Sequence, residues 1–125
     1  MAVLAAWHAG HEPARQAAAG AVIPAHARLE TYSVLTRLPP PHRLAPAVVV
    51  NLLDRWFPAE RTIVPSSRLS LDVVERCSSA GVEGGAVYDA LVALTAAEAK
   101  ATLLTRDTRA TRTYRRLAAD FELMR

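Results

Sequence analysis

The sequence predicts an α/β domain, in which short parallel strands are buried between helices in a three-layer α/β/α arrangement. Three observations predict it. Short apolar stretches of strand length, Ala21-Val22-Ile23, Thr62-Ile63-Val64 and Thr102-Leu103-Leu104-Thr105, alternate with longer stretches of helical periodicity. Such alternation gives a parallel sheet covered on both faces, because the crossovers between strands are helices. The first two strands are closed by Pro24 and Pro65, and proline has no N–H with which to extend a ladder. The third runs through Arg106 into Asp107. Open α/β sheets collect their ligands at the carboxyl ends of strands.

Each element follows from local chemistry. Glu12 to Ala19 is helix-prone and stops at Gly20. From His26 to Leu38 the residues Leu29, Tyr32, Leu35 and Leu38 form a helical stripe, ended by Pro39-Pro40-Pro41. Pro46 suits a first helical turn and opens a helix from Ala47 to Phe57, with Asp54 and Arg55 on its wet side. Ser66 or Ser67 caps a helix from Leu69 to Ala80, which finishes at Gly81. Gly84-Gly85 leads into the longest helix, Ala86 to Ala99. After the third strand comes a helix from Thr108 to Ala118 and an edge strand, Phe121-Glu122-Leu123.

The chain has 125 residues, enough for one domain over residues 1–125 and too few for two. At 51% hydrophobic and 22% charged it is globular rather than disordered. No apolar run approaches the roughly 20 residues that span a bilayer. The start lacks the basic residues and cleavage site of a signal peptide. Cys77 is the only cysteine, which excludes an internal disulfide and makes a reducing cytoplasm the expected compartment. The net charge is +3, carried almost wholly by arginine, with Lys100 the only lysine. Guanidinium forks suit phosphates, since they donate two parallel hydrogen bonds to an oxyanion; genome composition explains the same bias.

Three acids stand out. Asp107 ends a strand, Asp89 lies in an otherwise apolar helix among Tyr88, Leu91, Val92 and Leu94, and Glu30 lies on an earlier helix. An unpaired charge in apolar surroundings is costly, which makes Asp89 the hardest to read as incidental. Each has a plain alternative: Glu30 as an exposed helix glutamate, Asp89 as a cap after Gly84-Gly85, and Asp107 as the N-cap of the helix that follows. Thr105 is suited to hydrogen-bond a substrate phosphate, or equally to fill a buried strand position.

The order of elements and three segments resemble the PIN-domain nucleases, most closely the VapC-type ribonuclease toxins of toxin–antitoxin pairs. The segments are Pro24-Ala25-His26-Ala27-Arg28-Leu29-Glu30-Thr31-Tyr32, Val87-Tyr88-Asp89-Ala90-Leu91-Val92-Ala93 and Leu103-Leu104-Thr105-Arg106-Asp107. The resemblance implies a PIN-like fold and a metal-dependent endoribonuclease. It also implies that Glu30, Asp89 and Asp107 are the second, third and fourth of four acids that hold Mg²⁺ or Mn²⁺. The family's first acid, an aspartate ending a first, central strand, is not in this chain. Met1-Ala2-Val3-Leu4-Ala5-Ala6-Trp7-His8 matches what normally follows it. Two expectations follow from that departure. Either the true start lies upstream, or the chain is a catalytically inactive remnant that only binds antitoxin or RNA.

The acids must cluster because phosphodiester hydrolysis needs charge stabilised on the phosphate oxygens and a water made nucleophilic. Hard divalent cations held by carboxylates supply both. Arg106, Arg109, Arg112 and Arg115 recur every third residue, with Arg116 beside the last. This stripe is a track for an RNA backbone, each neutralised phosphate adding salt-dependent affinity, or an ordinary solvated face. Tyr114 fits a core aromatic better than a base-stacking one. His8, His11 and Glu12 lack the His-Glu-x-x-His spacing of zinc hydrolases and are expected on the surface. Val48, Val49, Val50, Leu52, Leu53, Trp56 and Phe57 give more apolar surface than one core face demands. By the same resemblance this surface serves a homodimer and a cognate VapB-type antitoxin; core packing is the alternative.

Overall fold

The structure, a computed structural model, describes residues 22–105 and 108–123. The predicted helix Glu12–Ala19, His8, His11, Arg106 and Asp107 therefore lie outside the described residues. In order come β1 (Ile23–Pro24), α1 (Ala25–Arg37), α2 (Pro46–Trp56), a 3-10 turn (Ala59–Arg61) and β2 (Thr62–Ile63). They are followed by α3 (Ser67–Ala80), α4 (Ala86–Glu98), β3 (Leu103–Thr105), α5 (Thr111–Arg116) and β4 (Phe121–Leu123). The chain is an α/β domain. Both strand pairings are parallel: β1 with β2, placing Ile23 opposite Thr62, and β3 with β4, placing Thr105 opposite Leu123. Among the described residues these are two separate ladders rather than one continuous sheet.

Predicted and observed elements differ in two instructive places. Pro24 was expected to close the first strand. It instead belongs to β1 and, at φ −64° and ψ 140°, also turns the chain into α1. The helix expected over Thr108–Ala118 is only Thr111–Arg116. Thr108 to Ala110 form a turn in which Thr111 Oγ1 donates to the Thr108 carbonyl at 2.7 Å. Ala118 at φ 53° then swings the chain back into β4, conceding the strain of a left-handed conformation.

The largest core cluster joins both ladders to the helices: Ile23, Ala27, Phe57, Val92, Ala93, Ala96, Leu103, Ala110 and Tyr114. On α4, Ala90 and Ala93 are completely buried and Ala96 nearly so. Side chains this small bring neighbouring backbones close, and α1, α3, α5 and β1 all pack on this helix. A second cluster, Leu35, Val49 and Leu53, welds α1 to α2. A third, Cys77, Val82 and Ala90, welds α3 to α4. Buried threonines on the helices return their hydroxyls to the preceding turn, Thr31 to the Ala27 carbonyl at 2.8 Å and Thr95 to that of Leu91 at 2.7 Å. Among the described residues no helix is long and apolar enough to cross a membrane.

Helix α3 is defined at both ends. Gly81 takes a left-handed φ of 70°, and its N–H and that of Val82 return to the Ser78 and Cys77 carbonyls. Glycine adopts this conformation without steric cost. At the start, Ser66 Oγ accepts from the Leu69 N–H at 3.0 Å. The Ser66 N–H and hydroxyl both donate to the Glu98 carboxylate, at 2.8 and 2.6 Å, tying the start of α3 to the end of α4. These bonds hold the Glu98 carboxyl below its usual value of 4.5, the hydroxyl contact contributing most. A depressed folded value means that this stabilisation is present above the unfolded value and is lost as pH falls through the folded one. Ser66→Ala is therefore expected to cost about 0.5–2 kcal/mol in urea unfolding at neutral pH. Glu98→Gln should flatten the loss of stability below about pH 4.5; an unchanged acid limb would show that this contact carries none of it.

Candidate active site

Glu30 and Asp89 lie on two helices that pack on each other. Glu30 lies on α1, one turn beyond the buried Ala27, and Asp89 lies in the first turn of α4, beside the buried Ala90. The two helices pack directly on each other, with Ala27 and Ala93 in the same core cluster. Both acids are half-buried. The helical period explains this placement: the core-facing alanines carry the neighbouring carboxylates to the margin of the interface, where they meet solvent without losing it entirely. Asp89 lies in the first turn of α4, near the positive end of its dipole.

Two aromatic residues join these acids. His26 Nε2 lies 3.1 Å from Glu30 Oε1, across one turn of α1. The same imidazole stacks on the Tyr88 ring, with centroids 5.4 Å apart and planes 9° from parallel. Tyr88 immediately precedes Asp89, so one stack links the glutamate-bearing helix to the aspartate-bearing one. Sequence reasoning quoted both residues but assigned them no role. The signal was present in part: His26 and Glu30 have the i, i+4 spacing that makes helix side chains neighbours. The contact of His26 with Tyr88, 62 residues along the chain, is tertiary.

The remaining candidates are distributed differently. Thr105 is the last residue of β3. Asp107 and Arg106 lie outside the described residues. Arg109 and Arg112 are exposed. The arginine stripe does not continue evenly along one helix. Arg115 lies over the Phe121 ring at 5.4 Å, whereas Arg116 Nη1 donates to the Gly81 carbonyl at 2.7 Å. A six-residue helix is too short for a straight track, and the two last arginines are taken up by different neighbours. Tyr114 is buried against Phe121, with centroids 5.6 Å apart, and is a core aromatic. Cys77 is likewise buried.

The donor set suits a hard cation. Carboxylate oxygens are the ligands of Mg²⁺ and Mn²⁺, and Glu30 and Asp89 lie on two helices in contact, neither sealed into the core. Among the described residues no group of three or more His, Cys, Asp or Glu side chains is gathered as a metal site. Asp107, the third predicted ligand, lies outside the described residues.

Comparison with known proteins agrees with this architecture. The family model for the PIN domain matches residues 1–116. Ribonuclease VapC40 of Mycobacterium tuberculosis, in strains CDC 1551 and H37Rv, is 48% identical over 132 aligned positions, covering 99% of this chain and 92% of the relative. Ribonuclease VapC27 of strain H37Rv is 45% identical over 116 positions, covering 93% of this chain and 77% of the relative. No solved structure gives a significant match. With a family model spanning most of its length and relatives this similar, the chain belongs to the PIN-domain family, among its VapC-type ribonucleases.

Proposed function

We propose that this protein is a metal-dependent endoribonuclease that acts as a toxin and is neutralised by a cognate VapB-type antitoxin. The observation that carries the reading is the placement of Glu30 and Asp89 on two contacting helices in a chain of this family. Glu30, Asp89 and Asp107 would hold Mg²⁺ or Mn²⁺. When bound, the ion supplies positive charge against the phosphodiester oxygens and lowers the pKa of a water for in-line attack. The chain's own groups do the rest. His26 limits the rotation of the Glu30 carboxylate, and the packing of α1 on α4 fixes the spacing of the two helices that carry these acids. Arg109 and Arg112, exposed beyond the end of β3, attract the RNA backbone.

The apolar residues on the outer surfaces of α1 and α2 support a protein partner. Leu29 is 64% exposed, and Val48 and Val50 are 45% exposed, while Val49 and Leu53 on the same helix as these valines are buried. The first three are the candidate contacts for an antitoxin segment or a second copy of the chain. The test of the reading is Mn²⁺-dependent cleavage of a mixed RNA pool by this chain. Cleavage should appear with Mn²⁺, vanish in EDTA and return when Mn²⁺ is restored. A folded chain that leaves the pool intact at every Mn²⁺ and Mg²⁺ concentration would defeat the proposal.

A further inference from the structure

A groove of about 490 Å³ runs between α3 and α4, walled by Val74, Cys77, Val82 and Leu91, with Ser78 and Glu83 as polar groups along it. Tyr88 also lines it. Tyr88 is 55% exposed although His26 stacks on its ring. A tyrosine supported from behind and open in front loses little conformational freedom on binding a planar ligand. Its neighbour in sequence, Asp89, and the partner of its partner, Glu30, are the two described acids of the candidate active site.

The groove is also joined to positive charge. Gly81 lines it, and the carbonyl of that residue accepts from Arg116 on the arginine-rich helix α5. One end therefore borders a single guanidinium, that of Arg116, suited to a phosphate, and Tyr88 links the groove to the helix that carries Asp89. A protein segment would find the apolar wall, but would leave the juxtaposition of supported ring, arginine and acids without a use. Single-stranded RNA uses all three, since unpaired bases stack on aromatic side chains while phosphates follow the basic residues.

We propose that Tyr88, backed by His26, is the stacking surface for one unpaired RNA base, which enters the α3–α4 groove beside the phosphodiester to be cut. The inference rests on the ribonuclease reading and names how that site selects single-stranded substrate. Stacking on a single aromatic side chain tolerates any base, so Tyr88 sets the need for an unpaired nucleotide rather than its identity.

The experiment uses single-stranded oligoribonucleotides with randomised flanks and one 2-aminopurine, whose fluorescence is quenched on stacking. Binding is measured in EDTA, so that no cleavage is required. The full-length chain and Tyr88→Phe should both quench the probe. Tyr88→Leu should not, and its Kd should rise about 5- to 150-fold, the worth of one stacked base. Because Tyr88 is exposed, its removal leaves the core intact, and thermal unfolding of Tyr88→Leu checks this. Equal quenching and affinity in Tyr88→Leu would overturn the proposal. So would a loss of dimer in that variant with RNA binding unchanged, which would give the ring to a second copy instead. A chain that quenches the probe but cleaves nothing in Mn²⁺ would keep the stacking site and defeat the ribonuclease reading. Cleavage and binding indifferent to Tyr88→Leu would do the reverse.

Discussion

Asp89→Asn is expected to lower Mn²⁺-dependent RNA cleavage at least about a hundredfold while leaving the protein folded. Losing even a group that only hydrogen-bonds a metal ligand costs metal sites about 10- to 100-fold, and a direct ligand costs more. The amide keeps the shape of the carboxylate but not its charge, and a neutral carbonyl is a weaker ligand for a hard cation. Asp89 is half-buried in the first turn of α4 beside the fully buried Ala90, so an isosteric change disturbs no packing. Removing an anion from a helix N-terminus costs about 0.3–1 kcal/mol. Initial rates beside thermal unfolding separate the two effects. Wild-type rates in Asp89→Asn would remove this residue from the site.

Phe57→Ala carries the largest expected cost in stability, about 3–5 kcal/mol. Phe57 is 3% exposed and belongs to the cluster that joins β1, α1, α4, β3 and α5. Its ring also lies under the Arg61 guanidinium, 5.5 Å from the centroid, a contact worth a further fraction of a kcal/mol. Deleting the ring leaves a void in the cluster that joins both ladders to the helices. A domain of this size has about 5–15 kcal/mol in total, so the variant would be marginal at body temperature. Urea unfolding should show a lower midpoint with an unchanged slope. Val64→Ala, at a position 70% exposed, should stay within about 0.5 kcal/mol of the parent. Similar midpoints for the two variants would mean that the core is not centred on Phe57.

The sequence by itself determined most of the element order. Prolines, glycines and a capping serine are local signals, and they act within a few residues. Pro46 opens α2, Ser66 caps α3 and Gly81 ends it. Asp89 was legible as a candidate because a carboxylate among apolar helix neighbours is costly wherever the helix is placed, whereas Glu30 was singled out by the family resemblance. Leu103–Thr105 as a strand and Tyr114 as core also follow from local pattern.

Only the tertiary structure decided what these residues meet. The periodicity of α1 places Glu30 at the edge of a buried face, but not against which helix that face packs. The stripe of small residues on α4 makes the approach close, and the combined packing of all the elements selects the partner. Arg115 and Arg116 are adjacent in sequence and diverge in space, one to Phe121 and the other to Gly81, because the chain reverses after Leu117. The stack of His26 on Tyr88 belongs to the same class. Each residue is unremarkable on its own helix, and the pair exists because the packing of α1 on α4 brings two rings into register. Local propensity depends on near neighbours along the chain, whereas a binding surface depends on which distant faces share a core.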